Sequence, residues 1–284
     1  MRAVTGIDHS IVGVRDLEAA RAAYARLGFT LTPRGRHVGW GTANYCIMFP
    51  HDYVELLGIV DPTQFTNDLD RFLARREGLL GFAFGTDDAD AAARELAAAG
   101  LEPDGPKDLG RLLELPEGDV MPRFKLVMLP PRSTPGVSAF VCQHLTPDLI
   151  RRPAWLRHAN GAVGLVGLTA VVDDPPGLVD AYERLCGAGA ATLTDDTLAV
   201  HVGRSFIAFA RPDDLPLLHP DVDLPVADPP YLAAMTIAVA DLEATRELLE
   251  DNGFDVAVDS TGILRLGADA GCGTILEFRQ VAPR

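Results

Sequence analysis

The chain has 284 residues, of which 48% are hydrophobic, and a formal net charge of −15. This length suffices for two well-buried domains. The chain has 40 acidic and 25 basic residues, and this excess of negative charge disfavours a nucleic acid or an anionic membrane as partner. No apolar run reaches the roughly 18 residues of a membrane helix, and the first residues carry no signal-peptide core. The four cysteines form no Cys-x-x-Cys pair, so we expect a soluble cytoplasmic protein with reduced thiols.

The first sixty residues predict one strand, one helix and two longer strands. An apolar strand over residues 7–14 is followed by Asp16, a good helix N-cap, and by apolar residues at helical spacing. Gly28 ends this helix. The strongest strand candidates after it cover residues 40–49 and 53–59.

The same order of elements returns along the chain. Asp16 and Gly28 are twelve residues apart, as are Asp241 and Gly253. Weaker copies of the helix begin at Asp88 and Asp174. Further strand candidates cover residues 123–129, 138–142, 198–202, 205–210, 263–266 and 274–278. We therefore predict four βαβββ units, near residues 4–61, 78–146, 162–212 and 230–281, since internal repetition determines a fold more firmly than one local pattern.

Two proline-containing segments separate these units. Residues 145–153 lie between the second and third units, and residues 211–230 between the third and fourth. Proline supplies no amide donor and interrupts ladders, so both segments are typical of connectors. The predicted organisation is one half over residues 1–146, a linker over 147–161 and a second half over 162–284.

His9 and Glu55 lie in two matching strand segments of the first unit. Imidazole and carboxylate together provide half of a divalent-metal site. Taken alone, His9 is typical of a core histidine satisfied by the backbone, and Glu55 of a solvent-facing strand residue. Glu55 is flanked by apolar residues, however, and a carboxylate buried there needs a partner. Their matched positions favour the metal-ligand interpretation.

Residues 36–44 are the candidate substrate-binding segment. Trp40, Thr42 and Asn44 alternate along a strand and so share one face, with Arg36 and His37 in the loop before it. An indole, a hydroxyl and an amide on one surface suit a small polar or aromatic substrate. The alternative is a tight glycine-rich turn in which Arg36 and His37 have no role in binding.

With these segments the chain resembles the vicinal oxygen chelate superfamily and, within it, the glyoxalase-like domain proteins. The resemblance is carried by residues 7–9, 16–17, 27–29, 35–44 and 53–56. It implies an α+β fold in which four βαβββ units pair into two curved antiparallel sheets, as in glyoxalases, bleomycin-resistance proteins and dioxygenases. It also implies a cleft in which side chains of the first and last strands of paired units hold a metal.

The resemblance assigns ligand positions within the first half. His9 and Glu55 match the first-strand and last-strand positions of unit one. In unit two, Gly81 or Phe82 falls where a histidine is expected. Gln143 takes the carboxylate position beside His144, and only one of these two should face the cleft because side chains alternate. The implied cofactor is one divalent ion, zinc, nickel, manganese or iron, held by His9, Glu55 and either Gln143 or His144.

The second half departs further from the family pattern. Gly167 and Ala234 fall where histidines are expected, and only Glu277 takes a ligand position. Ring-cleaving dioxygenases of the superfamily place their iron in this half. The missing histidines argue against that chemistry here.

The first functional hypothesis is a divalent-metal-dependent lyase or isomerase acting on a small carbonyl compound through an enolate-type intermediate. Glu55 is the residue expected to transfer the proton. The alternatives are a metal-free protein that binds or sequesters a small molecule, as the superfamily's antibiotic-resistance members do, and an extradiol-type dioxygenase. The expected assembly is a monomer or a homodimer with a small-molecule ligand.

Overall fold

The computed structural model describes residues 3–281, in which four strand-helix-strand repeats follow one another. The first contains β1 (Gly6–Gly13), α1 (Leu17–Arg26), β2 (Gly35–His37), β3 (Thr42–Met48) and β4 (Tyr53–Ile59). After α2 (Leu69–Leu73), the second contains β5 (Gly78–Gly85), α3 (Ala89–Ala98), β6 (Asp104–Leu113), β7 (Arg123–Met128) and β8 (Ala139–His144). The third contains β9 (Ala162–Val171), α4 (Val179–Cys186), β10 (Ala191–Thr194), β11 (Thr197–Val202) and β12 (Ser205–Ala210). After α5 (Leu215–Leu218), the fourth contains β13 (Tyr231–Val239), α6 (Leu242–Asp251), β14 (Ala257–Val258), β15 (Leu264–Leu266) and β16 (Ile275–Gln280). The predicted α+β fold of four βαβββ units is confirmed.

Three of the helices begin where the sequence predicts because an aspartate caps each of them. Asp16, Asp88 and Asp241 have extended backbone, and each side chain accepts a first-turn amide. Gly28 follows α1 with a φ of 88°, a left-handed conformation that residues with a β-carbon rarely adopt. Within residues 3–281, no helix combines the length and the apolar character needed to cross a membrane.

The helix of the third repeat begins later than predicted. Asp174 does not cap α4; its Oδ1 accepts the amide of Gly177 at 3.4 Å. A 3₁₀ turn over Pro176–Leu178 precedes the helix, which starts at Val179. Because Pro175 and Pro176 have no amide hydrogen, they cannot donate to Asp174 as the first residues of a helix would.

We expect Asp16→Ala to lower the free energy of unfolding by about 1 kcal/mol. The Asp16 carboxylate accepts the amides of Glu18 at 3.0 Å and Ala19 at 2.9 Å, and alanine leaves both without that acceptor. Urea denaturation measures the change. Asp16→Asn keeps an acceptor at the cap and is the control: equal losses in both variants would contradict the capping role.

The strands of the first two repeats close into a barrel in the order β1-β4-β3-β2-β6-β7-β8-β5. Most neighbours are antiparallel, as predicted, but β1 runs parallel to β4 and β5 parallel to β8. The reason is the chain's own alternation. When the helix returns the chain to its starting end and three antiparallel strands follow, the fourth strand runs in the direction of the first.

A short seam between β2 and β6 closes the barrel. Gly35 pairs with Leu113, and His37 pairs with Arg111. The sequence pattern predicts a loop or turn over residues 35–39 and no strand at β6. Neither strand has a strong local pattern, since β2 has three residues and β6 contains Gly105, Pro106 and Gly110. This closure is what turns a curved sheet into an enclosed space.

The second half repeats this order without closing. Its eight strands are arranged as β10-β11-β12-β9-β13-β16-β15-β14, so β10 and β14 are free edges. Side chains of both halves share the main hydrophobic core; Phe29, for example, stacks on Phe278 with ring centroids 6.3 Å apart. The Tyr24 hydroxyl also donates to the Gly271 carbonyl at 3.1 Å. The division at residues 1–146, 147–161 and 162–284 stays a prediction.

Candidate active site

A β-bulge in β1 brings two adjacent polar side chains together. The ladder between β1 and β5 pairs Ile7 with Phe84 and His9 with Ala83, which leaves Asp8 as the extra residue. On a regular strand Asp8 and His9 would point to opposite faces. Here Asp8 Oδ2 lies 2.7 Å from His9 Nδ1. Regular strand alternation does not predict a contact between the side chains of Asp8 and His9. Asp8 is therefore absent from the site residues predicted from the sequence.

Asp8 fixes the orientation of two histidines. Its Oδ2 lies 3.0 Å from His144 Nε2 as well. Burial raises the pKa of Asp8, but the hydrogen bonds to His144 and His9 outweigh burial and hold this pKa below its usual range. An ionised Asp8 accepts from both rings, so a neutral His9 carries its proton on Nδ1 and a lone pair on Nε2. The His9 ring also stacks on Tyr53, with centroids 4.4 Å apart.

Glu55 on β4 faces the free nitrogen of His9. Glu55 Oε2 lies 3.8 Å from His9 Nε2, which is too long for a hydrogen bond. Its Oε1 accepts a hydrogen bond from the Asn44 amide. Burial raises the pKa of the Glu55 carboxyl, but the nearby His37, His9 and Arg111 and the Asn44 hydrogen bond together have a larger opposite effect. The pKa therefore lies below its usual value, and Glu55 is ionised at neutral pH.

The predicted substrate-binding segment divides between two faces. His37 Nδ1 lies 2.9 Å from the Thr42 hydroxyl, and the His37 ring packs against Trp40, which forms an isolated bridge with Phe65 before β3 rather than lying in the strand. Burial lowers the pKa of His37, so its imidazole is neutral at neutral pH. Arg36 lies on the outer face, where it is half-exposed and its Nε is 3.8 Å from a carboxylate oxygen of Glu114. The structure does not bring Arg36 to the site.

The barrel encloses a cavity of about 430 Å³. Its polar lining includes His9, His37 and Glu55. Its apolar walls include Ile11, Leu57, Leu109, Phe124, Leu126 and Phe140. Exposed residues at its rim, among them Asp68 and Met128, connect it with solvent. A mostly apolar cavity with a few converging polar groups is typical of a small-molecule site.

Arg111 on β6 also lines this cavity and was not predicted. It is 3% exposed, and its Nη1 donates to the Cys46 sulfur at 2.8 Å. A signal for it does exist in the sequence. Leu109, Arg111 and Leu113 alternate, so a strand here places the arginine on a face with two leucines. The glycines and proline nearby hid that strand.

The two proposed third ligands do not reach the space between His9 and Glu55. The Gln143 side chain accepts the Ala89 amide at 3.0 Å and donates to the Asp87 carbonyl at 2.8 Å, so it serves the start of α3. His144 points to the interior, but its Nε2 is bound to Asp8. That shared carboxylate links His144 to His9.

A second group of potential ligands lies beside the first. Asp8, His9 and Cys142 offer atoms that all lie within 4.8 Å of one another. Burial raises the pKa of the Cys142 thiol well above its usual value. The Asp8 carboxylate already forms hydrogen bonds with two histidines. A protonated thiol and an engaged carboxylate suit a metal less well than His9 Nε2 with Glu55.

In the corresponding region of the second half, side chains of the protein bind the carboxylate at the ligand position. Glu277 on β16 accepts hydrogen bonds from Arg265 Nε at 2.7 Å and from the Thr236 hydroxyl at 2.9 Å. Its Oε1 also lies 3.1 Å from His219 Nδ1, in the connector before the fourth repeat. Glu277 thus has its polar partners in place, whereas Glu55 faces a cavity.

A family model described as a glyoxalase-like domain matches residues 7–186, more than half of the chain. The protein therefore belongs to the glyoxalase-like domain family, and the predicted membership of the vicinal oxygen chelate superfamily is confirmed. A search of the curated proteins finds no match.

Similar solved structures extend over the whole chain. A hypothetical protein from Staphylococcus aureus has a TM-score of 0.69 at 12% identity, with 98% of this chain and 100% of that chain covered. A triple mutant of 4-hydroxymandelate synthase from Streptomyces coelicolor has a TM-score of 0.60 at 14% identity, with 98% and 92% covered. A fusion of a xylose isomerase-like TIM barrel with 4-hydroxyphenylpyruvate dioxygenase has a TM-score of 0.61 at 12% identity, with 100% of this chain and 50% of that chain covered. At these identities the likeness shows the fold alone.

Proposed function

We propose that this protein is a divalent-metal-dependent lyase or isomerase that acts on a small carbonyl compound through an enolate-type intermediate. The observation that carries the proposal is the approach of His9 Nε2 and Glu55 Oε2 to 3.8 Å. Because Asp8 takes the Nδ1 hydrogen bond, two lone pairs face each other in a buried space, and a cation between them would stabilise the arrangement. Two atoms bonded to one ion at about 2.0–2.2 Å lie no more than about 4.4 Å apart, so the pair fits a shared ion.

His37 is the proposed third donor, in place of Gln143 or His144, and it would have to move closer, because among residues 3–281 its ring nitrogens do not lie within 4.8 Å of both His9 Nε2 and Glu55 Oε2. It lines the same cavity and is neutral, as a ligand must be. Thr42 engages its Nδ1 and Asp8 engages Nδ1 of His9. Such partners fix the ring orientation of histidines that bind metals. Imidazole and carboxylate ligands are compatible with zinc, nickel, manganese or iron.

The chain's own residues supply the remaining functions. A bound divalent ion would act as a Lewis acid on the substrate carbonyl. Glu55, ionised and held at Oε1 by Asn44, is the proposed proton acceptor beside that carbonyl. Trp40 and the apolar walls would exclude water and orient the substrate.

A metal-free binding protein is the second candidate. Only His9 and Glu55 of the four predicted ligands reach the cavity, since Gln143 and His144 bind elsewhere. A dioxygenase with iron in the second half is not proposed, because Glu277 is already bound to Arg265.

We expect the purified chain to contain about one divalent ion, and His9→Ala and Glu55→Ala to weaken its affinity at least about 100-fold, because each variant removes a direct ligand. Inductively coupled plasma mass spectrometry after incubation with manganese, iron, nickel or zinc measures the metal content of the parent and of both variants. His201→Ala, which removes an exposed histidine on β11, is the control and should keep the ion. Comparing His37→Ala with His144→Ala identifies the third ligand.

If the parent protein takes up none of these ions, the metal-dependent mechanism is wrong. Retention of the metal in both His9→Ala and Glu55→Ala would also contradict it. Either result would direct attention to the metal-free binding protein.

A further inference from the structure

Arg111 has two hydrogen-bond donors without a partner inside the protein. Its Nη1 donates to Cys46 Sγ, whereas Nε and Nη2 are buried and have no hydrogen-bond partner in the described part of the chain. A guanidinium remains charged at any physiological pH. Burying its donors without acceptors is costly, and native structures rarely leave such groups unpaired.

The two free donors lie on the same edge of the guanidinium plane. Nε and Nη2 together form the side-on fork that binds a carboxylate through two parallel hydrogen bonds. Nη1, which is used by Cys46, lies on the opposite edge. The unpaired part of Arg111 therefore has the shape and charge of a carboxylate-binding group.

The second half shows how the same fold pairs a buried arginine with carboxylates, here Glu277 and Asp259. Arg265 is 4% exposed, and its Nε donates to Glu277 at 2.7 Å. Among residues 3–281, no carboxylate forms a corresponding ion pair with Arg111, because Glu55 is directed to Asn44 and His9. Arg111 lines the cavity, but its Nε and Nη2 are covered by protein atoms, so an acceptor in the cavity reaches them only when the surrounding side chains shift.

We propose that Arg111 binds the carboxylate of the substrate, so that the substrate class is a small carbonyl compound bearing a carboxylate and an apolar body. The inference rests on the proposed function for the position of the carbonyl near His9 and Glu55. The apolar body would contact the walls around Phe124 and Phe140.

The test compares phenylacetate with its neutral amide, phenylacetamide, by isothermal titration calorimetry. The full chain is used as purified and after removal of metal with EDTA, so that a carboxylate bound to metal is distinguished from one bound to Arg111. In the metal-free parent, phenylacetate should bind roughly 10-fold to 100-fold more tightly than the amide, as expected for charge-assisted hydrogen bonds. In Arg111→Gln the two should bind about equally.

Arg36→Gln is the matched control, since it removes an arginine from the outer face of the neighbouring strand and should keep the full preference for the acid. Because the parent comparison needs no variant, a misfolded Arg111→Gln does not prevent a decision. Equal binding of acid and amide to the parent, or an unchanged preference in a folded Arg111→Gln, overturns the proposal. A preference without any metal uptake overturns the metal-dependent function and leaves the carboxylate site in place.

Discussion

Glu277→Leu is expected to lower the free energy of unfolding by about 3 kcal/mol, because it leaves the Nε of the buried Arg265 without an acceptor, while Asp259 Oδ2 still lies 2.6 Å from Arg265 Nη1. Glu277 accepts from Arg265 and Thr236 and lies 3.1 Å from His219 Nδ1. Arg265 and Glu277 are both buried. Leucine would leave the Arg265 Nε and the Thr236 hydroxyl without this acceptor. Urea unfolding monitored by circular dichroism measures the loss.

Two further variants decide whether the loss comes from the buried pair. Arg265→Met combined with Glu277→Leu removes both charges of this pair and should recover part of the stability, since apolar replacements of a buried pair are often neutral, while Asp259, whose side chain is 17% exposed, loses its contact with Arg265. Glu243→Gln breaks an exposed helix ion pair with Arg246 and should leave the stability nearly unchanged, because solvent screens exposed pairs. A loss in Glu277→Leu as small as that in Glu243→Gln would show that water compensates the charge.

Asp52→Asn is expected to gain stability relative to the parent as the pH rises from 5 to 8, by about 3 kcal/mol over that range. Burial raises the pKa of Asp52 from 3.8 to about 7, although the Leu165 amide and the charges of Arg204 and Arg151 oppose this rise, while Asp8 adds to it. The folded protein therefore keeps this proton up to about pH 7, whereas the unfolded chain releases it near pH 3.8. Between these two pH values the parent's stability falls as the pH rises, because the unfolded chain is ionised there and folding has to take up a proton.

The neutral amide avoids this effect and keeps an oxygen for the Leu165 amide, which lies 2.6 Å from Asp52 Oδ1 in the parent. Urea unfolding of both proteins at pH 5, 6, 7 and 8 gives the difference directly. Asp148→Asn, which changes an exposed carboxylate, is the control and should show no such trend. If the difference between Asp52→Asn and the parent is constant with pH, the carboxylate is ionised in the folded protein throughout.

The contrast between the two halves bears on how the cavity is used. In the second half Arg265 and His219 contact Glu277, whereas in the first half Arg111 and Glu55 both line a cavity of about 430 Å³. A buried charge without an internal partner usually marks a functional site rather than a contribution to stability. The barrel of the first half is therefore the proposed functional site.

The repeat, the aspartate caps and the positions of most strands were predictable because they depend on local patterns. Asp16 and Asp241 each stand directly before an amphipathic segment, which is the usual position of a helix N-cap. The apolar strands are recognisable because apolar residues recur at every second position. His9 and Glu55 could be named because they occupy matching strands of a repeated unit. Their use in metal binding stays a proposal.

What the sequence did not reveal depends on pairing between distant strands. The bulge that joins Asp8 to His9 exists only in the ladder with β5, and Arg111 reaches the cavity only because β6 closes the barrel against β2. The orientation of Gln143 towards α3 likewise follows from register, since a one-residue slip reverses every side chain on a strand. Local sequence thus determined the elements and their order, whereas tertiary register determined which side chains meet, because long-range pairing has no local period.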